Sequence, residues 1–407
     1  MATLHFTPVH ETSEVFSISN QALKLTTTED IEPHLKELEK FSKVTKLDVS
    51  GNTIGIEASR SLAEFIQSHP SVKNNLIEIN FADLYTSRLV DEVVESLNIF
   101  VPVLLECQNL SIVNLSDNAF GLRTIDSLEH YIANAVQLQH LILSNNGMGP
   151  FAGERIGKAL FRLAQQKKKQ KKPFLETFIC GRNRLENGSA PLLAVGLKAH
   201  ADGLKVVKLY QNGIRPSGVA ILIRYGFSFN PNLEILDLQD NTFTTGASTV
   251  LADALPVWKE TLLELNLNDC LLKGSGSDAV CKVFNETAFK ELRVLRLQYN
   301  ELTQDTLLSE IMPALENGNL PSLRLLELNG NRLEEGSDAL TDLEQLFEGE
   351  LDELDDLEEV DSDESEEEEE EAQETEKLVE IDIAALEKTL SELRVDEITE
   401  ELEKTHI

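Results

Sequence analysis

Apolar residues recur along this chain in the phrase LxxLxLxxN, with a longer stretch before each new copy. Successive copies lie 28 to 37 residues apart, and we call the residue that ends each copy the ladder residue. Nine ladder residues fit the phrase: Asn52, Asn118, Asn146, Asn183, Asn212, Asn241, Cys270, Asn300 and Asn331. A tenth copy, LIEINFADL, ends at Leu84 instead. Alternation with a period of two predicts one short strand for each copy.

The rest of each period is long enough for a helix. In GERIGKALFRLA, for example, Ile156, Leu160 and Leu163 share one helical face. About eleven such units predict an α/β leucine-rich-repeat solenoid, a ribonuclease-inhibitor-like horseshoe with a parallel sheet on its concave side and helices on its convex side. A degenerate copy, ALKLTTT, is predicted to form the N-terminal capping repeat and to end at Thr28.

The ladder residues and the residues before them have different predicted roles. A ladder asparagine turns inward and bonds the backbone of neighbouring repeats, and Cys270 can do so more weakly. The preceding residue points outward, so in NNG the side chain of Asn145 is displayed while Asn146 is structural. A solvated loop amide and a binding residue both remain open for Asn145.

Several outward residues along this edge are candidate partner-binding residues. The irregular repeat reads FADLYTSR, where Tyr85 and Arg88 resemble an interface hot spot or, alternatively, an irregular turn with a snorkelling arginine. The arginines of ICGRNR could grip anionic groups or pair with neighbouring acidic residues. With the polar residues displayed on the same edge, the candidates are Asp83, Tyr85, Asp117, Arg182, Arg184, Gln211, Asp240 and Asp269.

The formal net charge of −35 is concentrated at the C-terminus, where residues 350–407 hold 27 acidic and 4 basic residues. We therefore predict a repeat domain over 1–349, an acidic, disordered low-complexity segment over 350–376 and an amphipathic helical tail over 377–407. Such a field disfavours direct contact with nucleic acid or a membrane surface and favours a basic protein partner.

Candidate chemistry within the chain is sparse. The four cysteines form no CxxC pair, no HExxH motif occurs, and no nucleophile triad or Walker loop is visible. The sequence predicts no metal site and no active site of its own. Because the N-terminus lacks a basic segment followed by an apolar run, we expect a soluble, intracellular protein without a membrane anchor.

Two further segments leave alternatives open. The run KKKQKK, Lys167 to Lys172, is an exposed helix end, where cations favour the helix dipole, a nuclear-import signal or an additional contact for an acidic partner segment. The leucines from Leu378 onward form a plain amphipathic helix, a docking helix or a peptide read by an export receptor.

Phrases such as SGNTIG, LSDNAFG, NNGMGP, ICGRNRLENGS, LNDCLL and GELDELDD go beyond a generic repeat. In them the chain resembles the Ran GTPase-activating protein family (RanGAP) in its compact fungal form. The resemblance implies acceleration of GTP hydrolysis on the small GTPase Ran, in its GTP form, during nucleocytoplasmic transport. It implies no cofactor beyond the GTP and Mg²⁺ held by Ran, a cytoplasmic monomer that could shuttle through the nucleus, and contacts with Ran-binding proteins and an export receptor.

The same resemblance makes Asn145 and Arg88 the candidate catalytic residues. The first asparagine of NNG helps to hold the GTPase's catalytic glutamine, while the arginine of LYTSR supports the interface or the Asn145 loop without entering the active site. Ser144 and Ser87 depart from the family pattern, in which a histidine and a glycine occur at those places. A non-catalytic scaffold or inhibitor that binds a basic protein partner is the alternative function.

Overall fold

The computed structural model describes residues 4–357 and Lys388, and its central feature is a twelve-stranded, all-parallel sheet. The strands are β1 (Val15–Ser17), β2 (Lys24–Leu25), β3 (Lys46–Asp48), β4 (Thr53–Ile54), β5 (Glu78–Asn80), β6 (Ile112–Asn114), β7 (His140–Ile142), β8 (Thr177–Ile179), β9 (Val206–Lys208), β10 (Ile235–Asp237), β11 (Glu264–Asn266), β12 (Val294–Arg296), β13 (Leu325–Glu327) and β14 (Glu350–Leu351). All except β2 and β4 join the main sheet in chain order, which is the stacking expected of a repeat solenoid.

Helices fill the remainder of most repeats. They are α1 (Thr28–Leu38), α2 (Ile56–Ser68), α3 (Pro70–Lys73), α4 (Val90–Glu106), α5 (Ile125–Asn134), α6 (Gly149–Gln170), α7 (Glu186–Lys198), α8 (Pro216–Tyr225), α9 (Thr244–Ala254), α10 (Gly274–Glu286), α11 (Gln304–Thr306), α12 (Met312–Glu316) and α13 (Asp338–Leu346). A π-helical stretch, Leu307–Ile311, joins α11 to α12, and short 3₁₀ helices cover Thr12–Glu14, Ala201–Gly203, Phe227–Phe229 and Leu255–Trp258.

One continuous core lies between the sheet and the helices. The middle residue of each strand stacks on its equivalent in the next repeat, as Leu141 does on Val113 and Phe178. These three side chains are completely buried. Because each short strand buries apolar residues only when a neighbour covers it, the register repeats without slippage along the sheet.

The N-terminal end differs from the expected ALKLTTT repeat. The first strand of the main sheet is β1, in which Phe16 pairs with Leu47 of β3. Residues Lys24 and Leu25 instead form β2, which pairs only with β4 beside the main sheet. The apolar alternation of VFSI supplies the buried side chains of a strand, whereas LTTT runs directly into α1, where Thr27 is the N-cap.

At the other end, the folded solenoid extends past residue 349, where we placed the start of the acidic segment. Strand β14 pairs with β13, and Leu354 and Leu357 pack against the core. The carboxylate of Asp352 accepts the backbone N–H groups of Leu328 at 2.8 Å and Asn329 at 2.9 Å. These contacts satisfy the exposed edge of the last full repeat, which explains why acidic residues follow a folded strand. The remaining tail predictions, including the leucines from Leu378 onward, lie outside the described residues.

The basic run ends α6. Lys171 has the left-handed conformation that terminates the helix, and Lys168 and Lys169 are exposed. Lys167, by contrast, is fully buried and donates through Nζ to the carbonyls of Val136 at 3.0 Å and Pro173 at 2.8 Å. Burial lowers the pKa of Lys167 to about 8. The first lysine of the run is therefore part of the helix end, and only the later ones are displayed.

Two features are absent from the described part of the chain. It contains no helix with the length and apolar character needed to cross a membrane. It also contains no group of three or more His, Cys, Asp or Glu side chains arranged to bind a metal ion.

Candidate functional site

The loops that follow the strands carry a row of residues with left-handed backbone conformation. Each lies immediately before a ladder position, with φ between 47° and 69°. The row consists of Gly51, Asp83, Asp117, Asn145, Arg182, Gln211, Asp240, Asp269, Tyr299 and Gly330. Seven of these ten are glycine, asparagine or aspartate, the residues that tolerate this conformation best. The backbone conformation alone therefore explains the residue type at these seven positions. Arg182, Gln211 and Tyr299 lie there against that preference.

Ladder residues turn in the opposite direction, as Asn146 shows. Its side chain is completely buried, and Nδ2 donates to the carbonyls of Leu115 and Leu143 at 3.0 Å each. Its Oδ1 accepts the backbone N–H of Asn118 at 3.0 Å. In the weaker version at Cys270, Sγ donates to the carbonyl of Leu238 at 3.3 Å. These bonds join one repeat to the next and hold the turns that follow the strands.

The exposed side chain of Asn145 is fixed from two sides. Its backbone N–H donates to the carbonyl of Gly181 at 2.9 Å, and its Nδ2 donates to Asp117 Oδ1 at 2.8 Å. An ionised carboxylate can only accept hydrogen bonds, so Asp117 orients the amide with its NH₂ inward. Within the described residues, no donor reaches Asn145 Oδ1. The loop therefore presents an oriented carbonyl oxygen to whatever lies against this edge.

A buried polar network supports the Asn145 loop from the concave side. The Tyr210 hydroxyl donates to Ser144 Oγ at 3.3 Å, and the backbone N–H of Gly181 donates to the same oxygen at 3.2 Å. The Ser144 N–H in turn donates to Ser116 Oγ at 3.2 Å. Sequence reasoning missed Tyr210. The signal was present: Tyr210 is a large aromatic residue two positions after β9, two repeats from NNG and equivalent in its repeat to Gly181.

Comparison with known proteins adds an independent observation. The chain is 67% identical over 348 residues to "Ran GTPase-activating protein 1" of Saccharomyces cerevisiae, covering 86% of each chain. The chain belongs to the Ran GTPase-activating protein family. The Drosophila melanogaster "Ran GTPase-activating protein" is 31% identical over 329 residues, which are 80% of this chain and 53% of that relative.

Two further matches concern the repeats of this RanGAP family member. Residues 229–246 match the leucine-rich-repeat family model. The fold is also similar to a solved internalin structure from Listeria monocytogenes, with 15% identity, a TM-score of 0.44 and coverage of 86% of this chain and 87% of that one.

The side chain of Arg88 is turned back onto the N-terminal repeats. Its Nε donates to Thr53 Oγ1 and its Nη2 to Thr26 Oγ1, both at 2.9 Å, and Glu92 Oε1 lies 3.8 Å from Nη1. Only 11% of the side chain is exposed. The residue before it, Ser87, has φ of 66°, a left-handed conformation that glycine adopts more readily than serine. The guanidinium thus joins the Arg88 loop to β4 and to the residues before α1.

Tyr85 does not lie where we expected it. The predicted displayed aromatic is 4% exposed, and its hydroxyl is 2.9 Å from Ser96 Oγ on α4. Its ring packs near that of Phe120, with centroids 6.0 Å apart, and burial raises the pKa of the phenol. Leu84 replaces the ladder asparagine in this repeat, and the altered turn directs Tyr85 into the core. Tyr85 is therefore a packing residue and is removed from the set of candidate partner contacts.

The arginines and the glutamine among the candidate residues lie on the edge, as expected. Arg182 and Arg184 are both exposed on either side of Asn183, and within the described residues neither guanidinium forms an ion pair. The expected alternative, pairing with acidic residues of adjacent turns, is not what the structure has. Gln211 is exposed two repeats away from Asn145. These groups leave donors facing outward beside Asn145.

Acidic residues occupy both sides of this region. Asp83 and Asp269 are exposed and Asp240 is half-buried. Burial, together with the negative charge of Asp240, raises the pKa of Asp269. Repulsion between neighbouring carboxylates is relieved by a cation, so this part of the edge is suited to a basic surface.

Proposed function

We propose that this chain accelerates GTP hydrolysis on Ran by positioning groups that Ran itself supplies. Asn145 is the residue that acts on the GTPase, by holding its catalytic glutamine. Phosphoryl transfer requires alignment and charge stabilisation more than new covalent chemistry. One amide that aligns the reacting groups can therefore accelerate the reaction. The observation that carries this proposal is the outward carbonyl oxygen of Asn145, oriented by Asp117.

The direction of that amide determines what it can bind. Oδ1 is an acceptor, and a glutamine side chain offers an NH₂ donor and a carbonyl acceptor. When the glutamine NH₂ donates to Asn145, its carbonyl oxygen is left to accept from the attacking water. A loop held by the backbone of Gly181 and by Asp117 loses little conformational entropy on binding, which favours orientation of the glutamine in the transition state.

Arg88 has a supporting role in this proposal. A guanidinium held by Thr26 and Thr53 would have to give up those hydrogen bonds before it could reach a nucleotide. We assign Arg88 to the shape of the loop from Asp83 to Leu89 and not to an inserted arginine finger. Asp83, Asp117, Arg182, Arg184, Gln211, Asp240 and Asp269 are the proposed Ran contacts.

The remaining parts of the proposal concern the setting. The chain acts as a monomer with no active site and no cofactor of its own, on the GTP and Mg²⁺ of Ran in its GTP form. It works in the cytoplasm and could pass through the nucleus, with Ran-binding proteins and an export receptor as further partners. Direct nucleic-acid or membrane binding is not part of it.

Single-turnover hydrolysis of GTP on Ran tests the proposal. Asn145→Gly is a better variant than Asn145→Ala, because Asn145 has φ of 55° and glycine accepts this conformation without strain. We expect Asn145→Gly to lower the maximal rate about a hundredfold, the scale of a lost positioning group, with affinity for Ran nearly unchanged.

The matched control is Tyr299→Gly, which makes the same replacement at the equivalent left-handed position of a later repeat, where φ is 54°. No loss of activity is expected from it. A wild-type chain that binds Ran without accelerating hydrolysis would support the scaffold alternative. Asn145→Gly with full activity would remove the role assigned to the amide.

A further inference from the structure

We propose that three exposed apolar residues in the repeats of Arg88, Asp117 and Asn145, namely Leu89, Leu122 and Phe151, form a docking patch for apolar side chains of Ran in its GTP form. Their exposed fractions are 72%, 52% and 53%. Exposed apolar groups that cluster on one surface mark interaction sites, whereas scattered ones are ordinary. This inference rests on the proposed function and adds to it a second, apolar part of the contact surface.

The patch is confined to three consecutive repeats. Leu89 and Phe151 each occupy the fifth position after the ladder position of their repeat, and Leu122 occupies the fourth position in the repeat between them. Residues at the fifth position in the other repeats are polar or glycine: Glu57, Gly188, Ser217, Gly246, Ser275, Asp305 and Gly336. The repeats with the apolar residues are those that supply Arg88, Asp117 and Asn145.

Ion pairs hold the three segments beside one another. Arg123, adjacent to Leu122, pairs with Asp91, two residues after Leu89. On the other side, Arg155 pairs with Asp126 at 2.8 Å. The Arg155 guanidinium also lies 6.0 Å from the centre of the Phe151 ring. The apolar residues are therefore surrounded by charges that pair with one another, an arrangement typical of an interface with an apolar centre and a polar rim.

A cleft opens between the first two of these segments. Its volume is about 330 Å³, and its lining is mixed. Val90, Val93, Phe120 and the ring of Tyr85 supply apolar surface, and Arg88 and Asp117 are among the polar residues beside them. The cleft is large enough to receive an aromatic or branched apolar side chain from a partner, with Leu89 and Leu122 extending the contact on either side.

Asp117 connects this surface with the residue that acts on the GTPase. The same carboxylate lines the cleft and orients Asn145. A GTPase placed with its glutamine at Asn145 must cover Asp117 and therefore the cleft beside it. We therefore assign Ran as the occupant of the patch. Its contact with the patch would stabilise the complex equally before and during hydrolysis.

Steady-state hydrolysis with substoichiometric full-length chain tests this assignment. The variant is the double substitution Leu122→Ser with Phe151→Ser. The control is Leu308→Ser with Phe229→Ser, which removes one leucine and one phenylalanine, each 48% exposed, from other parts of the surface. Because uniform binding energy changes KM and not kcat, we expect the patch variant to raise KM for Ran·GTP about tenfold at unchanged kcat. The control pair should match wild type.

Equilibrium binding to Ran loaded with a non-hydrolysable GTP analogue separates the two proposals. If the wild-type chain binds and the patch variant binds about ten times more weakly, the docking patch is supported even if hydrolysis is not accelerated. Equal affinity of the patch and control variants would overturn the docking patch, even with the activity intact. Failure of wild type to bind would overturn it as well, and unchanged thermal unfolding of all variants excludes a folding defect.

Discussion

The ring of Tyr210 lies directly over Gly181, one strand away. A Cβ added to Gly181 would be 2.4 Å from Tyr210 Cζ, which is closer than two non-bonded carbon atoms can approach. Since Gly181 also supplies the carbonyl that accepts the Asn145 N–H, the absence of a side chain here lets an aromatic residue support the Asn145 loop from the concave face.

Gly181→Ala is therefore expected to displace Tyr210 and break its bond to Ser144. Overpacking of this kind costs about 1 to 3 kcal/mol of unfolding free energy, measured by urea denaturation. Gly181→Ala with Tyr210→Ala should lose less than the sum of the two single variants, because the clash is absent from the pair. Strict additivity would show that ring and glycine do not interact.

Asn146→Ala is predicted to destabilise the repeat domain by about 1 to 3 kcal/mol, because it leaves the buried N–H of Asn118 without a partner. It also removes one of the two side-chain donors to each of the carbonyls of Leu115 and Leu143. Asn146→Cys should cost less, since Cys270 fills the same position elsewhere. The neighbouring Asn145→Gly should leave the unfolding free energy nearly unchanged. Equal losses for the two asparagines would contradict the division between ladder and displayed residues.

Asp237 on the concave face predicts a pH dependence. Burial raises its pKa from 3.8 to about 6, while Gln239 and the charges of Lys208 and Arg296 act in the opposite direction. The folded state thus holds the proton more tightly than the unfolded chain. Its contribution to stability is most favourable below about pH 4 and is lost as the pH rises to about 6.

Asp237→Asn should accordingly raise the unfolding free energy at pH 7 by about 1 to 3 kcal/mol and flatten its change between pH 4 and pH 6. The amide can still accept the Gln239 N–H at 3.2 Å. Denaturant titrations at several pH values measure this difference. A variant less stable than wild type at pH 7 would indicate that Asp237 is held ionised.

Two truncations test where the folded domain ends. A chain ending at residue 357 should unfold like the full-length protein, whereas one ending at 349 should lose about 2 to 4 kcal/mol. The shorter chain lacks the Asp352 carboxylate and the packed side chains of Leu354 and Leu357. Equal stability of the two would show that these contacts contribute little.

The chain that ends at residue 357 also tests the role of the acidic tail, because it lacks only residues 358–407. Residues 358–407 hold 22 acidic and 4 basic residues, a net charge of −18. If the tail attracts a basic surface of Ran, its removal should slow association several-fold at low salt, by about tenfold at most, with the difference vanishing at high salt. Stopped-flow association rates over a salt series would measure it. An unchanged rate at every salt concentration would exclude such steering.

Leucine spacing was sufficient to predict the parallel sheet, its repeat length and the ladder positions, because these depend on local alternation and on stacking of equivalent residues. It was not sufficient for the ends. Strand β1 lacks leucine, and β14 contains a single leucine and is followed by acidic residues, so each is recognisable only by the neighbour it covers. A terminal strand is specified by pairing more than by its own sequence.

The candidate site divides in the same way. Display of Asn145 follows from its place before the ladder residue. Burial of Tyr85, however, depends on how one irregular turn packs on α4. The bond from Tyr210 to Ser144 crosses two strands and requires that Gly181, between them, has no side chain. Neither a turn that departs from the repeat nor a contact between residues 66 positions apart can be derived from the pattern within one repeat.

The left-handed residue before each ladder position has an evolutionary consequence. Because the backbone there is held by bonds from neighbouring repeats, a substitution alters the chemistry offered to solvent while the turn itself is kept. Arg182, Gln211 and Tyr299 illustrate the range that one geometry accepts. The choice of partner in such a protein can therefore change by single substitutions, one repeat at a time, while every intermediate sequence keeps the same fold.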